Sequence, residues 1–453
     1  MQALPQVETQ RQMGVWAATA VVTGEAISLG IFLTPAAMAR SLGSPALLAA
    51  VWCGMALVTL AGALCFTELA IRNPYDGGEY VYLRRGFGRR VSFLYGWMAA
   101  MVMYPGVAAA LTVGAVPYVQ ALVPIPARFA SILPALILIT LGALNYFGTR
   151  LSSGVMTAFN WLKVPVLAAL IGWALFSGHA RMENILPLAL RRPGSDPLFD
   201  GIAGATISAF FCFGGWWEAG KIAGEVRNPT RNLPIAFSGG VLIVTAIYLL
   251  LSLAFVAVVP LQQIQSNAAF VALFGQALFG AAGGRVLATC VVLCVLGGLM
   301  VISMAVPRVT YALARAESGS ATQGPLATFA QLHPRFGTPA NAVILQTGMA
   351  LLVLTLGAFD RILAFIIFSA VAFLALTAAS LFRTITPVQR WWYPLAPIVF
   401  IVGSGVLAIM LLLHNPGASL LGAGIVACGL PVRWLLTRHT QSTESVAVDS
   451  VSP

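Results

Sequence analysis

The sequence predicts an all-α protein that crosses a membrane twelve times, with its first and sixth spans interrupted. Of its 453 residues, 59% are hydrophobic and 9% are charged, whereas soluble proteins carry about 25% charged residues. The apolar residues fall in segments of about 20 residues, the length that crosses a bilayer. Two of these segments, five apart in chain order, contain the glycine and polar residues that break helices.

The predicted spans divide into two halves of five and a final pair. The spans are 14–38, 45–71, 92–122, 129–149, 153–177, 201–224, 233–259, 284–315, 339–357, 360–382, 392–413 and 415–437. The first repeat covers 14–177, the second covers 201–382, the additional helices cover 392–437, and the tails are 1–13 and 438–453. Because each repeat has an odd number of spans, the second half inserts in the inverted orientation.

Charge and composition narrow the classes of function. The net charge of +11 comes mainly from arginines in short connections, such as Arg72 before the third span and Arg390 before the eleventh, which is typical of cytoplasmic loops rather than of nucleic-acid binding. The loop between spans five and six is an exception, because it places Arg181, Arg191 and Arg192 outside. Both termini are therefore predicted in the cytoplasm, and the short tails favour a bacterial inner (cytoplasmic) membrane. The cysteines and histidines have no metal-ligand spacing, and no ATP-binding motif is present. We expect no metal, cofactor, nucleic-acid partner or enzymatic activity.

The two interrupted spans can present backbone groups inside the membrane. The first reads TGEAISLGIFLTP from Thr23 to Pro35, and the sixth contains FCFGGW from Phe211 to Trp216. Freed amides at a helix start suit an anion, and freed carbonyls suit a cation. We expect amides near Ser28–Gly30 to meet a substrate α-carboxylate and carbonyls near Ile27 and Phe211–Phe213 to meet its amino group. The alternative is that the glycines serve only close helix packing.

Three motifs carry a resemblance to a known family. They are GEAISLGIFLTP in the first span, GALCFTELAIRNPYDGGEYVYL around the end of the second, and FCFGGW followed by EVRNPTRNLP in the sixth. The chain resembles the amino acid–polyamine–organocation (APC) superfamily, and most of all its L-type amino acid transporter branch. The resemblance runs from about residue 14 to 437. It departs where Ser28-Leu29-Gly30 replaces the family's Gly-Ser-Gly, which favours a small substrate, and where Phe213 replaces a frequent Tyr.

The resemblance implies a LeuT-like fold of two inverted five-helix repeats with broken helices 1 and 6. It implies that Phe211 gates the substrate, and that Lys163 takes the place where sodium-dependent relatives hold Na⁺. It also implies no disulfide-linked ancillary subunit, since residues 123–128 contain no cysteine. The predicted substrate-binding residues are Ile27, Ser28, Leu29, Gly30, Phe211, Cys212, Phe213, Gly214 and Gly215.

Two groups of charged residues have further predicted roles. Glu25 and Lys163 are expected to pair beside the first break, because either charge alone is costly in a membrane. The pair is either a fixed cation surrogate, a titrating pair that couples protons, or a static brace between spans one and five. A second network, expected to close the inner gate or else only to reach the interface, comprises Glu68, Glu225, Arg227 and Arg231, with Glu218 and Lys221 slightly deeper.

The residues together favour a sodium-independent exchanger or facilitator of small neutral amino acids. Span eight offers Ser303 without an adjacent hydroxyl, which disfavours a sodium site. A proton-coupled amino acid or amine symporter is the alternative within transport. A polytopic receptor or sensor is the alternative outside it, and the short tails disfavour that reading.

Overall fold

The computed structural model describes residues 11, 13–27, 30–73, 77–147, 153–266, 269–318, 325–383 and 392–449. These residues form helices and no strand, apart from one isolated bridge between Met13 and Val226. Within these ranges, nine helical segments are long and apolar enough to cross a membrane: Pro45–Arg72, Arg89–Leu122, Arg128–Tyr146, Leu198–Lys221, Pro229–Val258, Phe270–Arg315, Phe359–Arg383, Leu395–His414 and Pro416–Leu435. Shorter apolar helices lie at Pro165–Phe176 and Ala340–Leu354. The protein is therefore a polytopic helical membrane protein.

The first span consists of three pieces, with helices at Val15–Ala26, Gly30–Leu33 and Pro35–Leu42. The second span, Pro45–Arg72, begins where the sequence indicates, because Ser44 accepts a hydrogen bond from the Leu47 amide and proline fills the first turn. A short connecting helix, Gly78–Phe87, links it to the third span.

The third span changes its winding near its middle. It runs as an α-helix over Arg89–Met98, as a π-helix over Ala99–Met103 and again as an α-helix over Tyr104–Leu122. The next helices are Ala127–Ala130, Leu133–Tyr146, Ser153–Phe176 and Met182–Ile185.

The sixth span is an α-helix over Leu198–Phe213 and continues as a 3-10 helix over Trp216–Glu225. The remaining helices are Pro229–Val258, Leu261–Ser266, Phe270–Ser318, Pro325–Phe329, Ala340–Leu354, Phe359–Ala379, the 3-10 turn Ser380–Arg383, Leu395–His414 and Pro416–Asp449.

Spans one, two, six and seven pack against one another in the centre of the molecule, together with the strongly buried third and tenth spans. The seventh span lies against the first and the second. The last piece of the first span, Pro35–Leu42, which we call its outer piece, lies against the sixth. Trp52, Phe213 and Tyr248 meet in this centre with ring centroids 5.1 to 6.0 Å apart. Large apolar rings thus hold together the elements that carry the two breaks.

The eighth predicted span, 284–315, lies within the helical stretch Phe270–Ser318. This stretch consists of two helices that join at Gly280, whose φ of 69° and ψ of −167° are not helical and favour glycine. The two helices approach closely at this junction, since a Cβ on Gly275 would lie 2.6 Å from the Gly283 carbonyl oxygen. The predicted span corresponds to the second of the two helices. The last helix continues beyond its predicted end at residue 437 to Asp449.

Candidate functional site

The first span is interrupted where its apolar run contains polar residues and glycine. Its helix ends at Ala26, because Ile27 has a ψ of 59° while its amide still donates to the Thr23 carbonyl at 2.7 Å. The helix resumes at Gly30. Ser28 and Leu29, two of the predicted substrate-binding residues, lie outside the described residues.

The sixth span is interrupted at its glycine pair. Gly214 has an extended ψ of 148°, and Gly215 has a φ of 98°, which only glycine adopts readily. The Gly214 amide donates to the Phe211 carbonyl at 3.1 Å and closes the turn. The chain then leaves this turn as a 3-10 helix instead of the α-helix expected from the sequence.

The two interruptions lie directly against each other. A Cβ on Gly30 would lie 2.7 Å from Cys212 Cα and 2.9 Å from its sulfur. A Cβ on Gly215 would lie 3.0 Å from the Glu25 carbonyl oxygen. Glycine at both positions allows a backbone approach that a side chain would prevent, and the breaks face one another for that reason.

Tyr248 of the seventh span joins the two interruptions. Its buried hydroxyl lies 2.6 Å from the Ala26 carbonyl oxygen and 2.8 Å from the Cys212 carbonyl oxygen. Either oxygen is positioned to accept its hydrogen. The hydroxyl carries one hydrogen, so it satisfies one carbonyl at a time or shares the bond between them. Sequence reasoning missed Tyr248, although a tyrosine in a long apolar run signals a polar partner inside the bundle.

The predicted site residues of the sixth span have different environments. The half-buried Phe211 ring meets Phe359, at the start of the tenth span, edge-on at 5.9 Å. Phe213 is 2% exposed and packs on Trp52 and Tyr248, so only its backbone can face the break. Cys212 points toward the outer piece of the first span, with its sulfur 2.8 Å from the Thr34 hydroxyl.

The predicted Glu25–Lys163 pair is described in part. Glu25 lies on the last turn of the helix Val15–Ala26, and its side chain is exposed to the surroundings. Lys163 lies within the helix Ser153–Phe176, but its side chain is outside the described part of the chain. The helices that carry the two residues pack against each other. The pairing itself stays a prediction.

A polar cluster lies just after the sixth-span break in the chain, where the sixth and third spans meet. Lys221 donates to Glu218 at 2.5 Å and to the Tyr104 hydroxyl at 2.7 Å. Glu218 also accepts from Tyr104 at 3.3 Å and from the Trp217 indole at 3.1 Å. We call the face beyond this cluster the arginine-rich face, because it carries Arg72, Arg84, Arg85, Arg227 and Arg231.

The residues predicted to close the inner gate lie on the arginine-rich face. Glu68 pairs with Arg72 of its own helix at 2.7 Å. Among the described residues, no ion pair joins Glu225 to Arg227 or Arg231; the backbone there pairs instead with the N-terminal segment. The Met13 amide donates to the Glu225 carbonyl, and the Arg227 amide to the Met13 carbonyl, both at 2.9 Å.

The described residues contain no cluster of three or more His, Cys, Asp or Glu side chains able to hold a metal ion. What the geometry does assemble is backbone polarity at two facing helix breaks inside an apolar bundle. Such breaks bind small polar solutes at mid-membrane depth in transport proteins. Fold and site together define a polytopic membrane protein of the transporter class.

The chain belongs to the amino acid permease family, whose model matches residues 13–429. It is 26% identical over 444 residues to the serine/threonine exchanger SteT of Bacillus subtilis, covering 96% of this chain and 98% of that protein. It is also 26% identical to the mouse Asc-type amino acid transporter 1 (96% and 82%) and to the human large neutral amino acids transporter small subunit 2 (95% and 81%). The predicted superfamily is confirmed, and the protein is an amino acid transporter rather than an enzyme.

Proposed function

We propose that this protein is a sodium-independent exchanger or facilitator of small neutral amino acids. The observation that carries the proposal is the direct contact between the two helix breaks, through Gly30 against Cys212 and Gly215 against Glu25. Two interrupted helices that touch can bind both poles of a zwitterion without any charged side chain.

The substrate would bind beside the point where the two breaks touch, against the free backbone groups of both. Its carboxylate would meet the amides of Ser28–Gly30, and its ammonium group would meet the carbonyls of Ile27 and Phe211–Phe213. The carbonyls of Ala26 and Cys212 support this polarity. Both face the Tyr248 hydroxyl, whose single hydrogen cannot satisfy them both, so acceptor capacity remains for an ammonium group. Leu29, Gly214 and Gly215 would shape the turns of this site.

The substrate would be small. Gly30 and Cys212 are already in close contact, and Ser28 carries a Cβ where the family commonly has none. The Phe211 ring would cover the substrate as a gate and would move against Phe359 when the gate opens. The name of the Bacillus subtilis relative, a serine/threonine exchanger, is consistent with substrates of this size.

The proposed architecture is that of twelve spans with inverted repeats at 14–177 and 201–382. The arginine-rich face would lie toward the cytoplasm of a bacterial cell, with both termini on that side. Alternating access would then require the Glu218–Lys221–Tyr104 cluster and the Met13 pairing to separate when the inner side opens. No disulfide-linked subunit is proposed.

Sodium independence would follow from Lys163, whose ammonium group would occupy the place of a bound cation. Ser303 supports this, because its hydroxyl donates to the Leu299 carbonyl at 2.6 Å and has no hydroxyl neighbour in sequence. A titrating Glu25–Lys163 pair would make the protein a proton-coupled symporter instead.

The test is uptake of radiolabelled L-serine into proteoliposomes that hold the purified protein. We expect uptake that requires unlabelled amino acid inside or runs only down the serine gradient, and that is equal in sodium and choline buffers. Protein-free liposomes are the control. Sodium-dependent uptake would contradict the proposal, and accumulation in empty vesicles driven by an inward proton gradient would establish the symporter alternative. Absence of any amino acid movement would leave a receptor or sensor.

A further inference from the structure

The connecting helix Gly78–Phe87 is attached to the lower end of the sixth span. The Gly77 amide donates to the Lys221 carbonyl at 3.4 Å, and the Tyr82 hydroxyl donates to the Gly220 carbonyl at 3.2 Å. Gly78 has a φ of 50°, and a Cβ there would lie 2.8 Å from Lys221 Cγ. The glycine pair brings the next residue, Glu79, against the cluster formed by Lys221, Glu218 and Tyr104.

Glu79 is the most enclosed acidic residue in the described part of the chain. Its exposed fraction is 0%, and neither carboxylate oxygen has a hydrogen-bond partner. The Tyr95 hydroxyl and the backbone amide of Glu79 lie near the carboxylate and favour its ionised form, but neither reaches it in full hydrogen-bond geometry. A buried carboxylate in this position is costly when ionised, because these contacts only partly replace the water that burial removes.

The charges around Glu79 do not balance. The 3-10 end of the sixth span contributes Lys221 and Glu218, the third span contributes Tyr95 and Tyr104, and its own helix contributes Tyr82. Two further elements pack on this helix. The tenth span carries no charged residue over 362–379, and the Arg383 guanidinium of the turn Ser380–Arg383 lies over the Phe87 ring at the far end of the helix. Two carboxylates thus share one ammonium group, and that group already bonds to Glu218 and to Tyr104.

We propose that Glu79 is a proton-binding site, which holds a proton while the arginine-rich face is closed and releases it when that face opens to water. One added proton removes the excess negative charge of the cluster and supplies a donor to a carboxyl group that lacks partners. The proposal rests on the proposed function in one respect: opening of this face is the alternating-access step. Proton binding itself does not depend on transport.

The direction of the pH effect follows from linkage. In the closed structure, burial raises the pKa of Glu79 from 4.5 to about 7, a net value in which Lys221 opposes the rise and Glu218 adds to it. In the open form, water would return the pKa toward 4.5. Protons therefore stabilise the closed form. As pH rises from 4.5 to about 7, the ratio of open to closed form increases by up to about tenfold per pH unit, and it is constant above that range.

The first experiment detects the proton itself. Infrared difference spectra of the reconstituted protein are recorded one pH unit above and one below 7. We expect a protonated-carboxyl stretching band that appears on the acid side in the wild type and is missing in Glu79→Gln. Glu183→Gln, at an exposed site in the connection between spans five and six, is the matched control and should keep the band.

The second experiment connects the proton to transport. With equal pH on both sides of the membrane, L-serine exchange by the wild type should slow several-fold between one unit above and one unit below pH 7. Glu79→Gln, which resembles the protonated form, should exchange slowly and without this pH dependence. Glu183→Gln should follow the wild type.

Two results would overturn the proposal. One is a wild-type spectrum without the band on the acid side, and the other is a band that persists unchanged in Glu79→Gln. Should that variant fail to fold, Glu79→Asp keeps a carboxyl group, and its band should shift in frequency or in midpoint pH; an unchanged band would count against Glu79. If serine does not move at all, the infrared result still decides the proton site, and only the proposed function fails.

Discussion

Gly30 shows how the absence of a side chain at one position allows the two breaks to touch. The residue lies where the first span resumes, and its Cα faces the backbone of Cys212 so closely that no side-chain carbon fits between them. The contact involves backbone atoms, which cannot turn aside as a flexible side chain would. Room for the substrate and contact between the breaks therefore both depend on a hydrogen atom at this position.

We expect Gly30→Ala to reduce L-serine exchange at least about tenfold, because an added methyl group forces the breaks apart by an amount that costs about 1–3 kcal/mol. Exchange in proteoliposomes measures this. Gly54→Ala is the matched control, since a Cβ there meets no atom within 4 Å, and it should exchange like the wild type. A Gly30→Ala protein with normal exchange would show that the breaks separate without consequence.

The residues of the site differ in how far the sequence could predict them. Glycine and polar residues in an apolar run are visible in the sequence, so the positions of both breaks were predictable. Tyr248 and Glu79 were not, because a tyrosine or a glutamate alone does not reveal which carbonyl or ammonium group it will face. Only the folded bundle brings Tyr248 to Ala26 and Cys212, or Glu79 to Lys221.

At the scale of elements, the N-terminal segment closes over the end of the sixth span. Met13 pairs as an isolated parallel bridge with Val226, through hydrogen bonds to the backbones of Glu225 and Arg227. A bridge of two hydrogen bonds is weak, so it can break when the arginine-rich face opens. It links the start of the first span to the end of the sixth.

We expect Met13→Pro to loosen this bridge, because proline lacks the N–H that donates to the Glu225 carbonyl. The loss of one hydrogen bond, about 1 kcal/mol, should speed hydrogen exchange of the Arg227 amide about fivefold. Mass spectrometry of the peptide that contains Arg227 measures this. Met13→Ala keeps the amide and serves as the control; equal exchange in the two variants would refute the role of the backbone bond.

Element boundaries were predictable where local chemistry determines them. The second span begins at its predicted start, Pro45, because Ser44 caps it. The seventh begins at Pro229, four residues before its predicted start, because Asn228 turns the chain in a left-handed conformation that the apolar pattern did not reveal. The 3-10 winding after Gly215 and the bend at Gly280 were not predictable. Composition is similar for α, π and 3-10 windings, and packing against neighbouring spans selects among them.

At the scale of the whole molecule, binding in the proposed site should stabilise the bundle. The two breaks join the first, sixth and seventh spans, so a ligand that bridges the breaks holds these spans together. The proposed site recognises the carboxylate and the ammonium group of the substrate at the same time. A molecule with only one pole would leave one set of backbone groups without a partner.

We expect L-alanine to raise the unfolding temperature of the purified protein, and propionate and ethylamine, each with a single pole, to leave it unchanged. A ligand at about 100 times its dissociation constant adds about 2.7 kcal/mol to the free energy of unfolding. Scanning fluorimetry over a concentration series measures the shift. Equal stabilisation by propionate would show that carboxylate binding alone carries the affinity.

The π-helix Ala99–Met103 affects how the third span should be aligned with the same span of relatives. An α-helix turns by about 100° per residue, so one extra residue in a turn rotates everything beyond it to a new side of the helix. Tyr104 follows immediately and reaches Lys221 from this rotated position. In a relative that lacks one residue in this stretch, the side chain that corresponds to Tyr104 would lie on a different side of the helix. Alignments of the third span should therefore be made separately before and after Met103, since a single-residue gap there changes the phase of the helix while its length and hydrophobicity stay nearly the same.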